Sequence, residues 1–422
     1  MNHETLKTII YNTHGLIKRK EIVKRDYSFE PNANYIVTGI RRAGKSTLLH
    51  SKVLDLVKSG VDYKRIIYIN FEDERLSEFN INDFADIEET AAELTNDKPY
   101  YFFDEIQNVE GWEKFARRLA DFDEHVYITG SNATMLSKEM EAKLGARYMT
   151  KEVYTYSFTE YIRANDIDSS DESRYTNRGK ARIKNLLDEY LSYGGFPEAL
   201  RFEDKRNYVS NVYQKILLGD ICARYGIRNT KAMELVVKKA AEAVRNEISY
   251  NRLRDSVVSA GVKISNDAVA SYMNYAKEGY LLFGVQNYFA KFSERESVQK
   301  YYFYDNGILN LFLLDKKSSL LENIVALKLK RKYGDNFFTL KSSKTGTDID
   351  FFVPETSTAI QVAWSIEGPA EFREVDGLVN LSKNFSEATR FIIVTYEEKK
   401  DIERNGVDIE VIPVIEFLTA ML

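Results

Sequence analysis

Short apolar runs ending in polar residues alternate with amphipathic stretches through the amino-terminal part of the chain. This is the pattern of a parallel sheet covered by helices on both faces. Tyr35-Ile-Val-Thr38 is the first run, 66–71 the second and Tyr100-Tyr-Phe-Phe103 the third. Residues 125–129 predict a fourth strand and 152–156 a fifth. Stretches 84–94 and 109–119 carry apolar residues at helical spacing, and residues 1–30 read as helical. Helices dominate 157–230, with a turn at Gly194, Gly195 and Pro197 that reads as backbone punctuation. Over 231–305, helices at 249–258 and 265–279 flank a short turn and precede strands at 281–285 and 300–304. From 306 onward, a helix at 320–329 is followed by strands at 337–340, 348–353, 359–364, 391–395 and 411–414.

The first strand runs into Gly39-Ile-Arg-Arg-Ala-Gly-Lys-Ser-Thr47 and then the apolar start of a helix. Strand, glycine-flanked loop, Gly-Lys-Ser and helix are the phosphate-binding P-loop arrangement. Its glycines let backbone N–H groups wrap an anion, and the helix turns its positive end toward it. The candidate nucleotide-binding residues are Gly39, Ile40, Arg41, Arg42, Ala43, Gly44, Lys45, Ser46 and Thr47. Lys45 reaches toward the β- and γ-phosphates, and the Ser46 hydroxyl toward Mg²⁺. The third strand ends in Asp104-Glu105, the Walker B order. Asp104 suits Mg²⁺ through its water shell, and Glu105 suits a general base on the attacking water. Thr129, Ser131 and Asn132 end the fourth strand, either as contacts to the γ-phosphate or water, or as a helix cap. Arg147 lies on the connection before the fifth strand. It reads as plain surface or as a charge stabiliser for the active site of a neighbouring copy. The basic face over 17–25 reads as solvated surface beside the nucleotide site rather than a nucleic-acid contact.

Gly39-Ile-Arg-Arg-Ala-Gly-Lys-Ser-Thr-Leu-Leu49, Asp104-Glu-Ile-Gln-Asn108 and Ile128-Thr-Gly-Ser131 together resemble the P-loop ATPases of the AAA+ superfamily. More narrowly, the chain looks like a bacterial and archaeal set whose ATPase carries a carboxy-terminal domain of unknown function, similar to restriction-endonuclease-like folds. Tyr193-Gly-Gly-Phe-Pro-Glu198, Tyr304-Asp-Asn-Gly307 and Asp348-Ile-Asp-Phe351 match it too. The resemblance implies an α/β P-loop NTPase core with an added strand between the P-loop and Walker B strands. It implies ATP rather than GTP, and it implies that Asn70 holds Glu105 inactive until a partner binds. The expected organisation is an ATPase core with its amino-terminal helix (1–165), a helical lid (166–230), a winged helix (231–305) and a degenerate α/β restriction-endonuclease-like domain (306–422). In metal-dependent nucleases of that fold, an Asp on one strand and a Glu or Gln on the next, with a nearby Lys, hold Mg²⁺ and activate water. Asp350 and Gln361 match, Glu322 is placed to assist, and the lysine position is Ala363. The resemblance thus implies a site without its activating cation.

Composition narrows the function further. The chain has 422 residues, a formal net charge of −5, one cysteine (Cys222) and four scattered histidines. That size suggests two to four domains, and the charge argues against a protein that coats nucleic acid. One cysteine excludes an internal disulfide framework, and the histidines lack zinc-ligand spacing. With no signal-peptide layout or long apolar run, the expectation is a soluble cytoplasmic protein without a membrane partner. The second helix of the winged-helix segment presents Asn266, Asp267, Ser271, Asn274 and Lys277. So little positive charge favours a protein contact or packing over DNA. Three functions remain in play. The first is a nucleotide-driven switch or motor acting on a protein or nucleic-acid partner. The second is an ATP-gated nuclease using Asp350 and Gln361. The third is a non-catalytic scaffold that needs nucleotide only for assembly. The intact Asp104-Glu105 pair and Ala363 favour the first.

Overall fold

β1 (Asn34–Thr38), β2 (Ile66–Asn70), β3 (Tyr100–Asp104), β4 (His125–Thr129) and β5 (Tyr148–Glu152) form one parallel sheet in the order β2-β3-β4-β1-β5. The computed structural model describes residues 1–131, 138–167, 176–314 and 316–420. β4 lies between β1 and β3, which is the added-strand P-loop NTPase arrangement. β1 to β4 are almost wholly apolar and buried, as a sheet covered on both faces requires. Helix Trp112–Asp121 shows why its sequence folds as it does. Trp112, Phe115, Ala116 and Leu119 recur at helical spacing and are buried, while Arg117 and Arg118 face water. This sheet and its helices form the first of two compact units, Met1–Tyr154; the second is Thr155–Leu422.

Two expectations for the first unit need correction. The first helix stops at Arg19, and Lys20 is already extended, so 1–30 is not one helix. The fifth strand occupies Tyr148–Glu152 rather than 152–156. Hydrophobicity pointed to the wrong segment because β5 is a sheet edge with a largely solvent-facing pattern. The apolar residues Val153, Tyr154 and Tyr156 are buried just beyond it.

The second unit holds two sheets. β6 (Ile248–Ser249), β7 (Leu282–Val285) and β8 (Val298–Phe303) pair antiparallel in the order β6-β8-β7, beside helices Thr230–Glu242, Tyr250–Ser259 and Asn266–Glu278. The sequence placed β8 at 300–304, whereas it runs from Val298 to Phe303. β9 (Phe338–Ser342), β10 (Thr347–Val353), β11 (Thr358–Val362), β12 (Arg390–Thr395), β13 (Lys400–Arg404) and β14 (Val407–Pro413) form a sheet in the order β13-β14-β12-β11-β10-β9. β13 escaped the sequence because Lys-Asp-Ile-Glu-Arg is a solvated edge with almost no apolar signal. Helix Lys205–Gln214 continues as a π-helix over Lys215–Ala223. Among the described residues, no helix is long and apolar enough to cross a membrane.

Two motifs from distant parts of this unit meet at Asp305. Its carboxylate accepts hydrogen bonds from the Gly195 and Gly307 N–H groups, each at 2.8 Å. Gly194 has φ +74°, and a Cβ there would lie 1.8 Å from Asp305 Oδ1. Only glycine permits that approach. Asn306 and Asn323 extend the hub by donating to the Leu191, Leu320 and Phe303 carbonyls. The Gly-Gly turn is therefore structural, bound to a buried acid rather than merely bent. Burial pushes the Asp305 carboxyl up to about 6, against the opposing hydrogen bonds and the nearby Arg331 charge. A carboxyl whose folded pKa exceeds its unfolded one holds more protons when folded, so its contribution to stability declines as pH rises from about 4 to about 6. We expect Asp305→Ala to destabilise this unit by about 2–4 kcal/mol in urea unfolding, since two buried N–H groups lose their acceptor. Relative to Asp305→Asn, wild-type stability should fall as pH rises through that window.

Candidate functional site

The loop after β1 takes the backbone shape its sequence allows. Gly39 has φ +136°, and a Cβ there would meet the Val153 carbonyl oxygen at 2.0 Å. Gly44, at φ +93°, opens helix Lys45–Lys58, whose first turn has no side-chain cap. Its leading N–H groups therefore point out of the helix as anion donors. Between the glycines, Arg42 holds the left-handed region at φ +65°, a costly conformation for a residue with a Cβ. The Lys45 side chain is buried and folded back, its Nζ donating to the Gly39 carbonyl at 2.9 Å and the Ile40 carbonyl at 3.3 Å. Ile40 and Ala43 are buried, and Arg41 lies 3.9 Å from Glu72.

The basic stretch at 17–25 is only partly the solvated surface its charge suggested. Arg25 is buried and bridges two segments, Nη1 donating to the Ala43 carbonyl and Nη2 to the Tyr154 carbonyl, both at 2.8 Å. Lys20 donates to Thr47 Oγ1 at 3.1 Å and pairs with His50 Nδ1 at 3.3 Å. Burial, and then the Lys20 charge, push His50 down to about 3, so its ring is the neutral acceptor. Periodicity and charge carried no sign of these contacts, since each joins residues far apart in the chain.

Asp104 ends β3 in register with Asn70 of β2. It is buried, and the donors around it are hydroxyls. Tyr68 donates to Oδ2 at 2.9 Å, Thr129 donates to Oδ1, and the Ser46 hydroxyl is also bonded to it. Burial raises its pKa, and the neighbouring Glu105 charge adds to the rise against those hydrogen bonds. A buried carboxylate served by neutral donors, beside the hydroxyl that follows the P-loop lysine, fits a hard divalent ion held by one carboxylate, one hydroxyl and water. Thr129 thus positions the acids: its hydroxyl proton goes to Asp104, and its oxygen accepts the Glu105 N–H at 2.9 Å. Ser131 is buried beyond β4.

Glu105 stands in the left-handed region at φ +51°. Its Oε2 accepts a hydrogen bond from Gln107 Nε2 at 2.5 Å. The resemblance implies that Asn70 holds Glu105, and the two side chains have these partners here. Asn70 Oδ1 accepts the Glu72 N–H at 2.9 Å, and Gln107 makes the contact to Glu105. Gln107 Oε1 is buried with no hydrogen-bond partner among the described residues. The sequence reading passed over Gln107, although Asp104-Glu-Ile-Gln107 sets it two residues after the acid, on the 3₁₀ turn Ile106–Asn108. Asn132 lies outside the described residues. Arg147 is exposed and pairs with Asp121 at 3.0 Å. It precedes Tyr148, which pairs with Asn34 at the start of β1, whereas the P-loop follows the end of β1. Within one chain it therefore stands at the opposite end of the sheet from the P-loop.

A second cluster lies in the other unit. Asp350 on β10, Gln361 on β11 and Glu322 on helix Lys317–Tyr333, the residues that the resemblance pointed to, lie together, and Ala363 is buried. Lys300 of β8, absent from that expectation, joins them, its Nζ 2.9 Å from Asp350 Oδ1 and 3.2 Å from Glu322 Oε1. The helix Asn266–Glu278 exposes Asp267 and Asn274, but Asn266, Ser271 and Lys277 are half-buried, less open than its sequence suggested.

Residues 31–162 match the family described as an AAA domain, and residues 184–319 match a domain of unknown function, DUF8612. An uncharacterized protein of Haemophilus influenzae is 30% identical over 91% of this chain and 93% of its own length. One of Methanocaldococcus jannaschii is 29% identical over 96% and 93%. Among solved structures, a Walker-type ATPase of Pyrococcus abyssi aligns over 70% of this chain and 99% of its own, with 14% identity and a TM-score of 0.41.

Replacing Arg25 by Met would keep its apolar stem and strip the donors from two buried carbonyls. We expect a loss of about 2–4 kcal/mol in thermal or chemical unfolding. The P-loop carbonyl it releases should also cost nucleotide affinity in a calorimetric titration.

Proposed function

The chain belongs to the AAA+ family of P-loop ATPases, and from that premise we propose that it binds ATP with Mg²⁺ and hydrolyses it as a nucleotide-driven switch or motor. The observation that carries this reading is the Asp104–Ser46 contact, a buried carboxylate against the hydroxyl beside Lys45, with Glu105 one residue on. Ser46 and Asp104 would hold Mg²⁺, which when bound neutralises phosphate charge. Lys45 exchanges the Gly39 and Ile40 carbonyls for the β- and γ-phosphates, a charged acceptor for two neutral ones. The uncapped N–H groups of helix Lys45–Lys58 bind the phosphates. Glu105 accepts a proton from the attacking water while Gln107 fixes its carboxylate. The unpartnered Gln107 Oε1 suits the other water proton.

The same division into core (1–165), lid (166–230), winged helix (231–305) and carboxy-terminal domain (306–422) gives nucleotide-driven movement a route to a partner. The scant positive charge on Asn266–Glu278 favours a protein partner over DNA. Arg147, paired with Asp121 here, would reach a nucleotide only in a neighbouring copy. Soluble cytoplasmic action is part of this reading. A non-catalytic scaffold would have no use for Glu105 held in a strained backbone region.

Glu105→Gln should cut steady-state phosphate release by about 10²–10³-fold while ATP binding stays within about twofold. Unchanged turnover would remove Glu105 from the mechanism. Gln107→Ala should lower kcat by about tenfold with affinity nearly unchanged, measured in the same coupled assay, because it loosens geometry rather than binding.

A further inference from the structure

We propose that the Lys300 ammonium occupies the place of a divalent cation among Asp350, Glu322 and Gln361, so that this site takes a hard divalent ion only once that ammonium is removed. Each carboxylate oxygen of Asp350 and Glu322 already has a donor. Asp350 Oδ1 takes Lys300 Nζ at 2.9 Å, and Oδ2 takes the Val362 N–H at 3.0 Å. Glu322 Oε1 takes Lys300 at 3.2 Å and the Tyr302 hydroxyl at 2.7 Å, while Oε2 faces Arg245 Nε at 3.4 Å. Gln361 is spent too. Its Oε1 accepts the Asp350 N–H at 2.8 Å, and its Nε2 donates to Glu374 Oε2 at 2.8 Å.

A hard cation binds through oxygen lone pairs, and here the converging lone pairs face an ammonium. A buried carboxylate (Glu322) beside a half-buried one (Asp350) needs a counter-charge, because burial without one is costly. Ala363 on β11 supplies none, and Lys300 supplies it from β8, in a different sheet and 50 residues before Asp350. Burial alone would push that ammonium toward neutrality, but Asp350 and Glu322 outweigh it and keep it charged. The ammonium sits on the inner side of the cluster: the side chains of Lys300 and Glu322 are 2% and 1% exposed, and that of Asp350 is 18% exposed. The cluster is thus an internal ionic tie between β8, helix Lys317–Tyr333 and β10, built from groups that would hold a metal.

The test uses the full chain without nucleotide and Mn²⁺ as the probe, with free Mn²⁺ followed by electron paramagnetic resonance. Wild type should bind no more Mn²⁺ than Lys300→Met/Asp350→Asn. Lys300→Met alone should gain one saturable ion that the double variant loses. Asp350-dependent Mn²⁺ binding by wild type, or no gain in Lys300→Met, overturns the proposal. Stability gives a second arm that stands even if Lys300→Met fails to fold. Asp350→Asn should lower Tm by about 5 °C or more, because it takes a counter-charge from the buried Lys300 ammonium. In a site awaiting a metal, the same change relieves repulsion between carboxylates and raises Tm, which would contradict the proposal.

Discussion

A carboxylate taken out of water must be answered by a charge or by several hydrogen bonds, and this chain answers the demand differently in its two units. At the tip of β3, Asp104 is met by the hydroxyls of Thr129, Tyr68 and Ser46. Neutral donors leave its charge uncancelled, and its pKa rises accordingly. Such a group favours any arrangement that brings a cation to it, which links nucleotide and metal binding to the local energetics of the fold. At Asp350 and Glu322 the cation is already part of the chain, as Lys300.

The rest of the first unit holds this buried carboxylate and the glycine-flanked loop in fixed relation. Gly39 passes so close to Val153 that no side chain fits. Arg25 ties the loop at Ala43 to Tyr154, just past β5. Thr129 joins the ends of β3 and β4 by bonding to both acids. Each restraint lies at the carboxyl ends of parallel strands, where an open α/β sheet presents its functional groups. A loop fixed this firmly costs little ordering when phosphate arrives.

Much of this was legible in the sequence where chemistry is local. The P-loop spacing and the acidic pair after an aromatic run were readable from types and intervals, while the Asp350, Gln361 and Glu322 grouping came from the resemblance. Contacts between distant residues were not. Arg25 looked like one charge in a basic run, and its burial depends on carbonyls 18 and 129 residues away. Ala363 suggested a missing cation, and nothing in 300–304 announced that Lys300 would take up the role from another sheet. β5 and β13 were misplaced or missed because these two edge strands are largely solvent-facing and carry little apolar signal. Gln107 was the exception: local, readable, and overlooked because the resemblance drew attention to Asn70.

The central claim is that Asp104 and the P-loop jointly await a metal–nucleotide complex, and calorimetric titration of ATP with and without Mg²⁺ tests it most directly. The account predicts one saturable site per chain whose affinity rises at least about tenfold with Mg²⁺, a dependence that Asp104→Asn removes. Equal affinity with and without Mg²⁺, or no binding heat under either condition, would contradict it.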